Sequence, residues 1–138
     1  MPLVRISVNE EVAGERRKQL AGAVYDAMLA TIGIPEGDRF VILTAHNGGE
    51  LIADPHFMGV ERTSEFVTVQ ITLRRGRSTE KKQALYREIV RLFEQRASIA
   101  PDNVMIVLTE NDLDDWSFGG GLAQYVLNPP AGARKAGD

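Results

Sequence analysis

Residues 1–8 of this chain read MPLVRISV, and residues 68–73 read TVQITL. In both stretches an apolar residue occupies every second position, which is typical of a β-strand with one buried face. The two patterns align at an offset of 65 residues. The matched apolar positions are Val4, Ile6 and Val8 in the first stretch and Val69, Ile71 and Leu73 in the second. This internal repeat predicts two structurally similar halves.

The repeat continues downstream of both strands. The i, i+4, i+7, i+8 spacing of an amphipathic helix is seen at Leu20, Val24, Ala27 and Met28, and again at Leu85, Ile89, Leu92 and Phe93. Residues 40–44 (FVILT) and 105–109 (MIVLT) are short apolar runs of the kind that forms a buried strand. A turn-forming segment precedes each run, at 34–37 and at 100–102. Each half therefore reads strand, helix, strand.

Strand–helix–strand units have a predictable geometry, because a right-handed crossover leaves their two strands parallel. Two such units can join edge to edge. We therefore predict an α+β fold (α/β in some schemes), with two tandem β-α-β units forming a four-stranded sheet that carries both helices on one face. Residues 1–128 are assigned to a single domain with its pseudo-repeat at 2–46 and 67–111, and residues 129–138 to a flexible C-terminal tail.

Local signals refine this outline. Residues 47–65 contain several glycines and a proline, and they predict a long loop or hairpin between the halves. Ser78 is the expected N-cap of the second helix, with Glu80 in the first turn. Asn9 or Gly14 is the corresponding candidate for the first helix.

The sheet face opposite the helices is expected to be buried by another protein chain. Leu3 and several apolar residues of the central strands are expected on that face. Because an exposed apolar sheet favours association, we predict that the chain forms an oligomer.

Composition excludes several classes of function. The chain has no cysteine, so disulfides, thiolate catalysis and cysteine-ligated metals are excluded. The net charge of -3 disfavours a nucleic-acid surface, and no apolar run reaches membrane-spanning length. His46 and His56 are too few for a zinc site and are taken as structural. With no signal peptide at its start, the chain is expected to be cytoplasmic.

Pro2 is the first candidate for chemistry. Removal of Met1, expected before a small residue, would leave Pro2 with a free secondary amine held rigid by its ring. A free α-amine titrates near pH ~8, so neighbouring charges decide whether it acts as a base or an acid at neutral pH. Its other interpretation is a proline that merely opens a strand.

A duplicated β-α-β unit that begins with a proline resembles the tautomerase superfamily over nearly all of residues 2–128. Within it the sequence most resembles the malonate semialdehyde decarboxylases. Three segments carry this narrower likeness: residues 35–40 (PEGDRF), residues 74–78 (RRGRS), and residues 110–119 with Glu110-Asn111 followed by Asp115-Trp116-Ser117-Phe118-Gly119. The superfamily forms trimers or hexamers, so the resemblance implies a homotrimer.

The resemblance also implies roles for individual residues. Pro2 becomes the catalytic amine, and Asp38, just before the second strand, becomes the carboxylate that faces it. Arg77 and Arg75 are implied as catalytic residues that bind a small carboxylate substrate, as guanidinium groups do. Arg74 has no clear counterpart and is expected to point elsewhere. The pocket wall is assigned to Trp116, Phe118 and Tyr125, with a core or trimer-contact role as the alternative, above all for Tyr125.

The expected activity is decarboxylation of a small β-keto acid, malonate semialdehyde, to acetaldehyde and CO2 without a metal or organic cofactor. Cationic Pro2 would polarise the substrate carbonyl, or form a Schiff base with it. The alternative is a keto–enol tautomerase with neutral Pro2 as the base. Weak hydratase or dehalogenase activity is a further alternative, although residues 27–30 (AMLA) lack the first-helix histidine of the cis-specific dehalogenases. A scaffold without chemistry is the non-enzymatic alternative.

Overall fold

The computed structural model describes residues 1–132. The regular elements are β1 (Leu3–Asn9), α1 (Gly14–Ile32), β2 (Val41–His46), β3 (Val67–Arg74), α2 (Thr79–Ala97), β4 (Val104–Asn111) and the short α3 (Gln124–Leu127). Single 3-10 turns lie at Phe57–Gly59, Pro101–Asn103 and Leu113–Asp115. Most of the tail predicted at 129–138 falls on residues 133–138, which lie outside the described residues.

The four strands form one sheet in the order β2-β1-β3-β4. Strand β1 is parallel to β2, and β3 is parallel to β4, as two β-α-β units require. The two units meet through an antiparallel pairing of β1 with β3. The predicted fold of two β-α-β units joined edge to edge is therefore confirmed.

Alternation along the central strands builds the core. Every second residue of β1 and β3 is buried beneath the two long helices, whose own buried positions follow the predicted spacing. Each fully buried aliphatic side chain contributes about 1.5–3 kcal/mol through removal of apolar surface from water. The residues that form the repeat and are buried are Val4, Ile6, Val8, Leu20, Val24, Ala27, Met28, Val69, Ile71, Leu73, Leu85, Ile89, Leu92 and Phe93.

The two helix starts differ. The hydroxyl of Ser78 accepts a hydrogen bond from the backbone N–H of Lys81 at 3.2 Å, so the predicted cap of α2 is confirmed. The prediction for α1 is wrong: its N-cap is Ala13, without a side-chain hydrogen bond, and Gly14 is already the first helical residue. Asn9 ends β1 instead, where its amide donates to the Ser64 carbonyl at 2.8 Å.

Residues 47–65 form a loop rather than a hairpin, since no strand lies between β2 and β3. Three hydrogen bonds tie this loop to the turn before β4, one of them from the Glu61 backbone N–H to Oδ2 of Asp102 at 2.9 Å. The amide of Asn103, buried in the turn before β4, donates to the Thr63 hydroxyl at 2.9 Å, and its oxygen accepts from the Thr63 backbone N–H at 2.8 Å.

The sheet face opposite the helices is open in the single chain. Leu3 lies on it as predicted, 38% exposed. The position predicted for the other apolar residues of this face is wrong, because they lie on the edge strands β2 and β4 rather than on the central strands. These residues are Ile42 on β2 and Met105 and Val107 on β4, 39–46% exposed.

Arg16 joins three parts of the fold. Its guanidinium forms a bidentate ion pair with Glu65 at 2.5 and 2.7 Å. The same group donates to the Ala97 carbonyl at 2.7 Å and to the Ser98 carbonyl at 3.1 Å. Arg16 therefore connects the start of α1, the loop before β3 and the end of α2.

We expect Arg16→Ala to lower the free energy of unfolding by about 1–2 kcal/mol at neutral pH, because charged and partly exposed hydrogen bonds are lost together. Lys18→Ala is the matched control, since Lys18 and its partner Glu15 are mostly exposed and the substitution should change stability by less than about 0.5 kcal/mol. The hydrogen bond from Arg16 holds the pKa of Glu65 below its ordinary value. The stabilisation is therefore present at neutral pH and is lost as the pH falls through that lowered pKa. Urea unfolding at neutral and acidic pH measures both effects, and equal losses in the two variants would contradict the assignment.

Candidate active site

The amino terminus and Asp38 lie together at the N-terminal edge of β1. The backbone N–H of Val4 donates to the Phe40 carbonyl at 2.9 Å, which holds the start of β1 against the segment that carries Asp38. The amine of Met1 lies 3.7 Å from Oδ2 of Asp38. Asp38 is only 7% exposed, and its Oδ1 is buried without a hydrogen-bond partner among residues 1–132. A buried carboxylate with a free acceptor facing an amine can exchange a proton with it.

The first residue of the chain stands in for the proposed catalytic group. Pro2 is buried directly before β1. Removal of Met1 would transfer the free amine to the ring nitrogen of Pro2, one residue along the chain. The Met1 amine therefore reports the surroundings in which a prolyl amine would act.

Burial and charge act in opposite directions on this pair. Burial lowers the pKa of the Met1 amine, the Asp38 carboxylate raises it, and the guanidinium groups of Arg77 and Arg74 lower it again, with a net lowering. Burial raises the pKa of Asp38, against the lowering effect of the amine and of Arg77. Both groups are thus shifted toward their neutral forms.

Two of the three clustered arginines belong to this group. Nη1 of Arg77 donates to the Arg74 carbonyl at 2.9 Å, and burial lowers the pKa of Arg77. Arg75 lies elsewhere: its Nε contacts Oδ1 of Asp112 at 2.6 Å, and its side chain is 62% exposed. The structure brings Arg77 to Asp38 and the amine as predicted. It also brings Arg74 there, against expectation, and it does not bring Arg75.

The strand register explains this difference. Strand β1 pairs antiparallel with β3, and Leu3 lies opposite Thr72. Continuing this register by two residues brings Arg74 opposite Met1. Alternation along β3 then turns Arg75 to the other side, where Asp112 receives it. Placing Arg74 near the amine therefore requires the pairing register between β1 and β3. The sequence repeat alone does not give that register.

The three predicted aromatic residues form one cluster. The rings of Trp116 and Phe118 stack at 5.6 Å between centroids, and Phe118 meets Tyr125 edge to face at 4.9 Å. Burial raises the pKa of Tyr125, and Asp38 raises it further. Tyr125 therefore connects the aromatic cluster to the charged group.

Hydrogen bonds fix the segment that carries these rings. The indole N–H of Trp116 donates to Oδ1 of Asn111 at 2.7 Å. The Gln124 oxygen accepts from the Phe118 backbone N–H at 2.9 Å, while its amide donates to the Gly119 carbonyl at 2.9 Å. The wall is thus held to the end of β4 and to α3. Sequence reasoning named the rings but not Asn111 and Gln124, whose polar side chains carried no distinguishing pattern.

Other candidate features lie away from this group. A cavity of about 400 Å³ lies under the loop before β3, at the end of β1 distant from Pro2, and its lining includes Asn9, Leu51 and Phe66. Within residues 1–132, His, Cys, Asp and Glu side chains do not gather in threes as metal ligands would. Neither long helix has both the length and the apolar character needed to cross a membrane, and the same holds throughout the described part of the chain.

Comparison with known proteins now defines the class. Family models described as tautomerase enzyme match residues 38–119 and residues 2–60. A protein described as probable tautomerase YusQ, from Bacillus subtilis (strain 168), is 33% identical over 126 residues, 91% of this chain and 99% of YusQ. The chain therefore belongs to the tautomerase superfamily, as its repeat and Pro2 predicted.

Two solved structures of malonate semialdehyde decarboxylases are similar to this chain. FG41 malonate semialdehyde decarboxylase, inhibited by 3-bromopropiolate, is 37% identical with a TM-score of 0.87, over 94% of this chain and 98% of that one. A second malonate semialdehyde decarboxylase, described for decarboxylase and hydratase activities, is 30% identical with a TM-score of 0.84, over 91% and 96% of the two chains. The predicted resemblance to this group is confirmed at the level of sequence and fold.

Proposed function

We propose that this protein decarboxylates a small β-keto acid such as malonate semialdehyde, with the amine of Pro2 as a cationic acid after removal of Met1. One observation carries the proposal: the amino terminus faces the buried Asp38 carboxylate at 3.7 Å, and the charge of this carboxylate favours the cationic form of the amine. The likeness to two malonate semialdehyde decarboxylases supports it.

The reaction requires a place for the electron pair of the breaking C–CO2 bond. The Pro2 ammonium donates a hydrogen bond to the substrate carbonyl oxygen, which takes up the negative charge as the enolate forms. Asp38 stabilises the cationic form of Pro2. Protonation of the enolate carbon then gives acetaldehyde, and the turnover releases CO2 and consumes one proton. A Schiff base on Pro2 provides the same electron sink by another route.

The remaining residues hold the substrate. Arg77, with Arg74 beside it, binds the substrate carboxylate and directs the breaking bond out of the carbonyl plane. Trp116, Phe118 and Tyr125 form the apolar side of the pocket, where a bare carboxylate is disfavoured relative to the product CO2. We further propose that three copies associate through the open sheet face, where Leu3, Ile42, Met105 and Val107 are partly exposed.

A keto–enol tautomerase is the second candidate, and an electrostatic observation favours it. Burial and two guanidinium groups outweigh Asp38 and lower the pKa of the terminal amine. A lowered pKa increases the neutral fraction of the amine near neutral pH, and a neutral prolyl amine is the base that a tautomerase needs. The relative YusQ is described as a probable tautomerase.

The pH dependence of turnover separates the two candidates, because they require opposite forms of one amine. We expect kcat/KM for malonate semialdehyde to be highest at low pH and to fall as the pH rises through the pKa of Pro2. Because the same surroundings lower the pKa of the Met1 amine, we expect this fall at a pH below ~8, the ordinary pKa of an α-amine. Measuring kcat/KM from about pH 5 to pH 10 covers that range.

Phenylenolpyruvate is the matched second substrate for the same series. A tautomerase would instead lose activity on it as the pH falls through the same pKa, since protonation removes the base. Tautomerisation with that profile, together with no decarboxylation at any pH, would overturn the decarboxylase proposal in favour of the second candidate.

A further inference from the structure

The turn between α1 and β2 determines where Asp38 lies. The backbone N–H of Asp38 donates to the Pro35 carbonyl at 3.2 Å, and that of Arg39 donates to the Gly37 carbonyl at 2.9 Å. Gly37 has φ of 86°, a left-handed conformation that suits glycine. These bonds are all internal to the turn. They shape it, but they do not fix it relative to the rest of the protein.

Tyr25 on α1 contacts the turn on both sides of Asp38, in addition to the hydrogen bond from Val4 on β1 to the Phe40 carbonyl. Its hydroxyl accepts a hydrogen bond from the backbone N–H of Gly37 at 2.8 Å. The guanidinium of Arg39 lies over its ring, with Cζ 5.2 Å from the centroid, as in a cation–π contact. The Tyr25 side chain also packs against the core formed by the helices and the sheet. It thus connects the residues before and after Asp38 to a rigid helix.

We propose that Tyr25 is a positioning residue that holds the Asp38 carboxylate at its distance from the amino-terminal amine and so sets the protonation state of that amine. The catalytic significance of this inference rests on the proposed function, but the electrostatic effect itself does not. The attraction between a carboxylate and an ammonium depends on their separation and burial. A turn released from α1 would let Asp38 move away or become hydrated, and either change weakens the attraction.

The groups around the amine come from separate elements. Asp38, from the turn, is the one group that raises the pKa of the amine among those acting on it in the described structure, while Arg74, at the end of β3, and Arg77, between β3 and α2, lower it. Tyr125, from α3, lies in the field of the same three charges. A change at Tyr25 is transmitted through the turn alone, so it should alter the contribution of Asp38 and leave those of the arginines unchanged.

Titration of the amine in the Tyr25→Phe variant tests this inference. The substitution removes only the hydroxyl and keeps the ring that packs against the core and Arg39. With 15N-labelled protein, we expect the NMR-monitored pKa of the amine to fall by about 0.5 unit. Asp38→Asn, which removes the charge altogether, should lower it by about 1 unit or more. The fall of kcat/KM with rising pH should move to lower pH by the same amount as the NMR titration.

Two controls make the result specific. Tyr86→Phe is the same substitution on α2, where the hydroxyl makes no hydrogen bond within residues 1–132, and it should leave the amine unchanged. In an Asp38→Asn background, Tyr25→Phe should cause no further shift, because the positioned carboxylate is already gone. An unchanged pKa in Tyr25→Phe, an equal shift in Tyr86→Phe, or an additive shift in the double variant would each overturn the proposal.

The titration needs no substrate, so its outcome is independent of the proposed activity. Intact mass shows whether the titrating amine belongs to Pro2 or to a retained Met1, and the Met1 amine also faces Asp38. If the amine pKa falls as expected in Tyr25→Phe but the protein has no decarboxylase activity, the proposed function is refuted and the role of Tyr25 is supported.

Discussion

Replacement of Pro2 by alanine is expected to lower kcat/KM for malonate semialdehyde by about 100-fold or more, the usual scale for the loss of a positioned acid. The variant still begins with an amine, but that amine is primary, and it rotates freely because no ring fixes it. The proton is then no longer held toward the carbonyl oxygen, and the preorganised stabilisation of the enolate is lost. Steady-state kinetics over the pH series give the effect, and circular dichroism confirms that the variant is folded.

A chain with one serine inserted between Met1 and Pro2 is the sharper companion to this variant. Removal of Met1 then leaves serine in front, and the Pro2 nitrogen becomes an amide without basicity. Decarboxylation should fall at least as far as in Pro2→Ala, although the proline itself is unchanged. Intact mass verifies how each chain begins. Full activity of either protein on malonate semialdehyde and phenylenolpyruvate would end the assignment of Pro2 as the reacting amine.

Most of the fold could be predicted from the internal repeat in the sequence. Apolar residues at fixed offsets, such as Val4 with Val69 and Leu20 with Leu85, report which faces are buried, and burial is what separates one face of a strand or helix from the other. The cap at Ser78 was predictable because a serine hydroxyl directly before a helix can accept a hydrogen bond from the free backbone N–H three residues later. The start of α1 was not predictable, since Ala13 has no side chain that could mark it.

The sequence could place the candidate residues whose position depends on one local segment. It could not place those whose position depends on pairing between distant segments. Asp38 and Arg77 were proposed from their own local sequence, and both lie near the terminal amine. The placement of Arg74, rather than Arg75, near the terminal amine follows from the register of β1 on β3, a long-range property that two similar alternating strands leave open. The contact of Tyr25 with Gly37 likewise spans a helix and a turn, and a tyrosine on an amphipathic helix looks like any other core residue.

Arg77→Ala compared with Arg75→Ala is the second large expected effect. Arg77 is half-buried beside the amine, so its loss should remove the charge-assisted binding of the substrate carboxylate. We expect kcat/KM to fall by about 100-fold, with a rise in KM. The pKa of the Pro2 amine should rise at the same time, because Arg77 is a cation that lowers the pKa of the terminal amine at this place.

Arg75→Ala is the matched control, as it removes the same side chain two residues away. Arg75 is mostly exposed and already paired with Asp112, and exposed ion pairs of this kind contribute little. Its loss should change kcat/KM by less than about 3-fold and leave the amine pKa unchanged. An equal loss in the two variants would mean that Arg75 leaves Asp112 to bind substrate. The carboxylate would then be held by the arginine pair that the sequence implied, and Arg74 would act only through its charge on the amine.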